Sequence, residues 1–295
     1  MKYTPQCELV DVIVNGEYKG NYNLCDQVEM HKKRVELTEM DETCIEEPEV
    51  TGGYFFAADA YAKQEGDYQE TTKGIIYKIE YPEDDSIVTE QVNYLTNYFN
   101  KLEDEVYNNT VDKIDIETFC KYLLIEDLCG NGEAYWSTYM TKEREDNKFY
   151  FGPVWDFDIA FDNDLRIYPT LDKKDFIFKY GSSAGTMNNF TSKILNNEDV
   201  FKKLKTIWNE FKKEKITKTL LVDFIREKID YINDSQKLNF MRWDILNIRV
   251  LVNPVVRGSY KAETDYLIYY IQERYDILDT IVNNATVESI NAKIR

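Results

Sequence analysis

Two aspartates stand two apart in Phe151-Gly152-Pro153-Val154-Trp155-Asp156-Phe157-Asp158. On an extended segment, side chains two apart leave from the same face, so Asp156 and Asp158 would stand side by side. Neighbouring carboxylates repel unless a cation lies between them. Oxygen-only donors in this arrangement suit Mg2+ or Mn2+. A calcium loop of EF-hand type fits poorly, because Ala160 stands where the loop should continue and the turn glycine is missing. Spacing alone leaves a second outcome open, in which Asp156 caps a turn and Asp158 is solvated. Glu133 precedes Asp156 by 23 residues and follows Gly130-Asn131-Gly132. A carboxylate on one loop and a metal-holding aspartate on a following turn is an arrangement used in phosphoryl transfer. An exposed turn glutamate is the alternative that spacing favours.

The elements that must position these residues change character along the chain. Residues 1–85 read as strands and turns. Val10–Val14 leads into Asn15-Gly16, a hairpin signal, and Tyr18–Leu24 alternates as the return strand. Gly52-Gly53-Tyr54-Phe55-Phe56 opens another strand, and Gly74–Tyr81 forms a further one ended by Pro82. After Pro82 the apolar period moves to about 3.6. Val92, Leu95, Phe99, Leu102 and Val106 mark one buried helix face, with Thr89 as its cap. A second helix starts near Asp115 and stops at Gly130. Residues 148–161 return to strand character. Val200–Lys212, Leu220–Tyr231 and Glu263–Asn283 are helical. Strands followed by helices predict an α+β fold of two lobes, residues 1–85 and 86–295. Trp136, Trp155 and Trp243 read as core residues rather than substrate platforms.

Composition narrows the chemistry. The 295 residues carry 36 Lys+Arg against 54 Asp+Glu, a net charge of −18. That balance speaks against nucleic acid and anionic membrane surfaces as partners. No apolar run approaches the roughly 20 residues needed to span a bilayer. His31 is the only histidine, which excludes a His pair or triad and zinc held by several imidazoles. The five cysteines form no C-x-x-C pair and no disulfide scaffold is expected. The first residues, Met1-Lys2-Tyr3-Thr4-Pro5, have no basic-then-apolar targeting pattern. The scarcity of histidine and abundance of Asn, Tyr, Lys and Glu fit a secreted or cell-surface bacterial protein.

An ordered set of segments runs through the chain: Asn15–Gly20, Asp26-Gln27-Val28 with Arg34, Gly52-Gly53-Tyr54, Tyr81-Pro82-Glu83-Asp84, Gly130-Asn131, and Gly152–Asp158. Together with Arg242-Trp243 and Arg274, this set resembles the CotH kinase-like family, named for spore coat protein H. The resemblance covers residue 3 to the C-terminus. It implies a protein-kinase-like bilobal fold, ATP with Mg2+ or Mn2+, and phosphorylation of Ser/Thr on a protein, such as a Ser-rich or surface-coat protein. Carried over, Asp156 matches the metal-holding aspartate, and Asp158 shares its motif. Glu133 falls where members have a catalytic aspartate, one methylene shorter. Asn131 matches the family's Gly-Asn pair, and Ser137 lies where members carry Ser or Asn. Arg34 either reaches phosphate or belongs to a solvated basic cluster with Lys32 and Lys33, two outcomes the sequence leaves equally open.

The chain also departs from the pattern. Glu80 stands where members place a phosphate-holding lysine before Tyr-Pro, while Lys78 lies two residues earlier on the same strand face. Asp26 replaces the usual glutamate, and strand-rich sequence that members carry further upstream is expected to be absent. Two functions follow: an atypical kinase using Lys78, Glu133, Asp156 and Asp158, or a catalytically degenerate kinase-like module for surface binding or coat and cell-wall assembly. A glycosidase using paired carboxylates is a weaker third reading, since Asp156 and Asp158 are too close in sequence to flank a sugar bond.

Overall fold

A computed structural model describes residues 3–181, 185–284 and 286. Met1-Lys2 of the N-terminal stretch and the C-terminal end to which the resemblance runs lie outside the described residues. The fold is α+β, with a strand-rich N-terminal part holding two sheets and a mainly helical C-terminal part.

The alternating segments become β1 (Cys7–Val14), β2 (Glu17–Cys25), β3 (Tyr54–Asp59), a short helix α1 (Ala62–Glu65), β4 (Gln69–Glu70) and β5 (Ile76–Tyr81). β1 and β2 form an antiparallel hairpin through the two-residue turn Asn15-Gly16, both at positive φ as a tight primed turn requires. This hairpin is a sheet of its own. It docks on α7 (Ser235–Arg242) at the opposite end of the chain: Asn239 Oδ1 accepts from the Asn21 amide N–H at 2.9 Å. Trp243 donates its indole N–H to the Lys19 carbonyl at 2.9 Å. Trp243 is therefore no core residue. It stays 42% exposed because it lies across the hairpin surface.

The helices follow the apolar spacing: α2 (Thr89–Tyr107) and α3 (Ile116–Cys129), then α4 (Gly185–Leu195), α5 (Glu198–Glu214), α6 (Lys218–Tyr231), α7 and α8 (Tyr260–Asn284). Val88, not Thr89, is the N-cap of α2, and the Gln91 side chain accepts from its N–H at 3.2 Å. Asp115 caps α3 by accepting from the Thr118 N–H at 2.8 Å. Gly130 ends α3 at φ 66°, where a side chain would meet the Tyr270 hydroxyl.

β6 (Ser137–Lys142) and β7 (Phe149–Phe151), which follow α2 and α3 in sequence, complete a five-stranded antiparallel sheet of order β4-β5-β3-β6-β7. Its inner face carries Phe56, Tyr77, Met140 and Phe149, buried against Leu95 and Phe99 of α2. Truncating a fully buried aromatic such as Phe99 would cost about 3–5 kcal/mol. The strand expected over 148–161 lasts only three residues. Pro153 lacks an N–H for the ladder, and the chain leaves the sheet at Gly152.

α8 is tied to α3 by a fully buried ion pair, Arg274 with Asp127. The guanidinium also donates to the Asp127, Thr170 and Lys173 carbonyls, while the second Asp127 oxygen accepts from the Ile177 N–H at 2.7 Å. Each guanidinium nitrogen and each carboxylate oxygen of the pair thereby has a partner, the condition under which a buried pair is tolerated. No helix among the described residues is long and apolar enough to cross a membrane.

Candidate active site

The carboxylates of Glu133, Asp156 and Asp158 converge, each offering an oxygen within 4.8 Å of the others. They do so by a route the sequence does not announce. Alternation on a strand is not the cause, because residues 152–157 are irregular and Asp156 has φ 58°. This left-handed conformation is costly for a non-glycine residue and is kept only where the surroundings enforce it. Trp155 is clamped against the sheet, with its indole N–H donating to the Ser137 carbonyl at 3.2 Å and its ring 5.1 Å from Tyr139. Phe157 packs against the main core on the other side.

Asn131 supplies the remaining restraint. It is buried just past α3, and its amide nitrogen donates to the Asp156 carbonyl at 3.1 Å. Its amide oxygen accepts from the Glu133 N–H at 3.2 Å. One side chain thus joins the two carboxylate-bearing segments. Glu133 opens a single 3-10 turn, Glu133–Tyr135. Gly132 before it lies against Ile167, whose Cδ1 would be 2.6 Å from an added Cβ.

The cluster perturbs Asp156. Partial burial, then the Asp158 and Glu133 carboxylates, raise the Asp156 pKa above the ordinary aspartate range. Hard oxygen donors whose mutual repulsion is only partly relieved are a set into which Mg2+ or Mn2+ fits.

Lys78 sits on the outer face of the sheet. Ala57 pairs with both Lys78 and Tyr139, so all three share that face. Burial raises the Tyr139 pKa, and Glu80, Asp59 and Asp156 add to the shift. The Lys78 ammonium lies 3.3 Å from Asp67. Burial pulls its pKa down, but Asp67, Glu80 and Asp84 outweigh that and the net shift is upward. Glu80 is shifted up by burial and by Asp59, Asp84 and Asp67, against the opposing pull of Lys78.

The other expected site residues fall elsewhere. Arg34 pairs with Glu29 and lines a cavity of about 410 Å³ with Tyr3, Thr141, Glu143 and Pro153; none of the three clustered carboxylates lines it. Ser137 begins β6, and its carbonyl holds Trp155.

The sequence left one contributor unremarked. Arg166 lies 3.3 Å from Glu133 and is gripped by Asp164 at 2.8 Å. Its guanidinium is 5.5 Å from the Trp136 ring, which stacks on Tyr61. Asp164-Leu165-Arg166 reads in sequence as a loop charge pair, and no spacing links it to Glu133.

An α+β chain of two lobes with a carboxylate cluster beside its sheet has the construction of a kinase-like protein. A family model described as CotH kinase protein matches residues 1–278. The chain belongs to the CotH kinase family. No match to it is found among the curated proteins.

Proposed function

We propose that this protein is an ATP-dependent kinase that phosphorylates Ser or Thr hydroxyls of a protein substrate. The observation that carries the reading is the convergence of Glu133, Asp156 and Asp158 in a member of this family. Asp156 and Asp158 would hold Mg2+ or Mn2+, which supplies charge neutralisation for the triphosphate when bound. Lys78, on the sheet face that continues past Tyr139, would contact phosphate, and the two lobes would divide near residue 85 with ATP between them. Asn131, which joins the Glu133 and Asp156 segments, and Ser137 would line the nucleotide side of the site. Glu133 accepts the proton of the acceptor hydroxyl as its oxygen bonds to the γ-phosphorus. The bond from that phosphorus to the β,γ-bridging oxygen breaks, and ADP leaves with the electron pair. A net charge of −18 disfavours ATP without a divalent cation.

In thermal unfolding of the intact protein, ATP raises Tm only with Mg2+ or Mn2+, and Asp156→Ala abolishes the rise. Radiolabelled phosphate appears on the protein itself or on a Ser-rich peptide. No metal-dependent shift in the intact chain would defeat the reading.

One observation favours a second reading, a catalytically degenerate module used at a bacterial surface or in coat assembly. Glu80 occupies the sheet face where a phosphate contact is needed, and Asp67 engages Lys78 on the same strand. Under that reading the natural chain transfers no phosphate, and Glu80→Lys gains nucleotide binding.

A further inference from the structure

Three carboxylates within 4.8 Å pose a problem of assignment: all three could ligate one ion, leaving no carboxylate for the acceptor hydroxyl. The surroundings of Glu133 differ from those of the two aspartates. Arg166 Nη2 is 3.3 Å from Glu133 Oε1. That arginine is not a loose surface arm. Its Nε donates to both Asp164 oxygens, at 2.8 and 3.1 Å, and its backbone N–H donates to Asp164 Oδ1 at 2.9 Å. Asp164 is itself buried, and its carbonyl accepts from the N–H groups of Ile167 and Tyr168. The Leu165 N–H donates to the Val252 carbonyl at 3.0 Å, which fixes the same turn from its other side. Ile167 of this turn presses on Gly132, the residue before Glu133. The guanidinium is therefore held rigidly at the edge of the cluster, where it engages one Glu133 oxygen.

We propose that Arg166 is a positioning residue that holds Glu133 out of the metal coordination shell and keeps it facing the acceptor hydroxyl. This inference rests on the kinase reading above. Asp156 and Asp158, which have no comparable cation at hydrogen-bond distance among the described residues, are left as the ion's ligands. A guanidinium is suited to the task because it stays charged and fixes a carboxylate in direction as well as distance.

Mn2+ titration of the full-length protein by calorimetry, without nucleotide, tests this independently of turnover. Arg166→Ala frees Glu133 to ligate, so Mn2+ binds about tenfold tighter, while kcat for phosphate transfer falls. Arg166→Lys retains most of the wild-type affinity and rate. Glu133→Gln alone changes Mn2+ affinity less than about twofold, and in that background Arg166→Ala has no further effect. A merely structural arginine would instead weaken Mn2+ binding when removed. Unchanged or weaker binding in a folded Arg166→Ala overturns the proposal. So does a gain that persists with Glu133→Gln, since it would reflect general charge removal. Arg166→Met serves if the alanine variant fails to fold. Wild-type binding with no Arg166 effect defeats this inference alone, whereas no Mn2+ binding by any variant defeats the kinase reading with it.

Discussion

Two groups of charges lie a few residues apart around the end of α3, and they are treated in opposite ways. Asp127 and Arg274 are fully buried, and their strong donors and acceptors are matched by each other or by backbone. Glu133, Asp156 and Asp158 gather three negative charges at a partly exposed edge, with Arg166 the one arginine in contact among the described residues. The first arrangement joins α8 to α3 and gives each charged atom a partner. The second leaves part of its negative charge uncompensated, which is what the proposed metal site requires. Complete pairing ties two helices together here, whereas the incompletely paired cluster is the one the proposed kinase reading uses.

Removing one partner of the buried pair should have the largest effect. Arg274→Ala is expected to cost about 3–5 kcal/mol, read by urea unfolding, because Asp127 would remain charged and unpaired in the core. A loss below about 1 kcal/mol would mean that the two regions do not differ as described.

Asn131→Ala comes next, since it strips partners from two backbone groups beside the cluster. A loss of about 1–3 kcal/mol is expected, accompanied by weaker Mn2+ binding as the Glu133 and Asp156 segments separate. Full metal affinity at reduced stability would show that the amide supports the fold without organising the site.

Substitution within the cluster has a smaller effect of opposite sign. Asp156→Asn relieves repulsion in the metal-free protein and should raise Tm by about 2 °C, while removing the metal-dependent rise. An unchanged or lower Tm without metal would indicate that Asp156 is already compensated.

The finest test is pH dependence. The Asp156 pKa is raised in the folded protein, so the folded state takes up a proton more readily than the unfolded chain. The stability this contributes is present below the ordinary aspartate pKa and is lost as pH rises through the elevated folded value. Metal-free Tm should therefore fall slightly across that interval, and Asp156→Asn should flatten the difference. Mn2+ affinity should change in the other direction, weakening as pH falls and Asp156 becomes protonated.

Local physics made much of the architecture legible. The Asn15-Gly16 turn, the apolar face from Val92 to Val106, and the Asp115 and Gly130 ends of α3 each depend on a few neighbouring residues. They could be read without knowing what they pack against. The acidic residues of the site were also visible as types, and their resemblance to a kinase-like family gave them provisional roles.

Tertiary structure decided how those residues meet. Asp156 and Asp158 are adjacent because a left-handed residue is pinned by Asn131 and Trp155, not because a strand alternates. Arg166 reaches Glu133 through a turn 33 residues further along, Arg34 is taken by Glu29, and the N-terminal hairpin finds α7 near the other end of the chain. Residue type and spacing determine which groups can ionise, cap or alternate. Which oppositely charged groups satisfy one another is settled by loop paths, and those paths are fixed by hydrogen bonds between residues far apart in sequence.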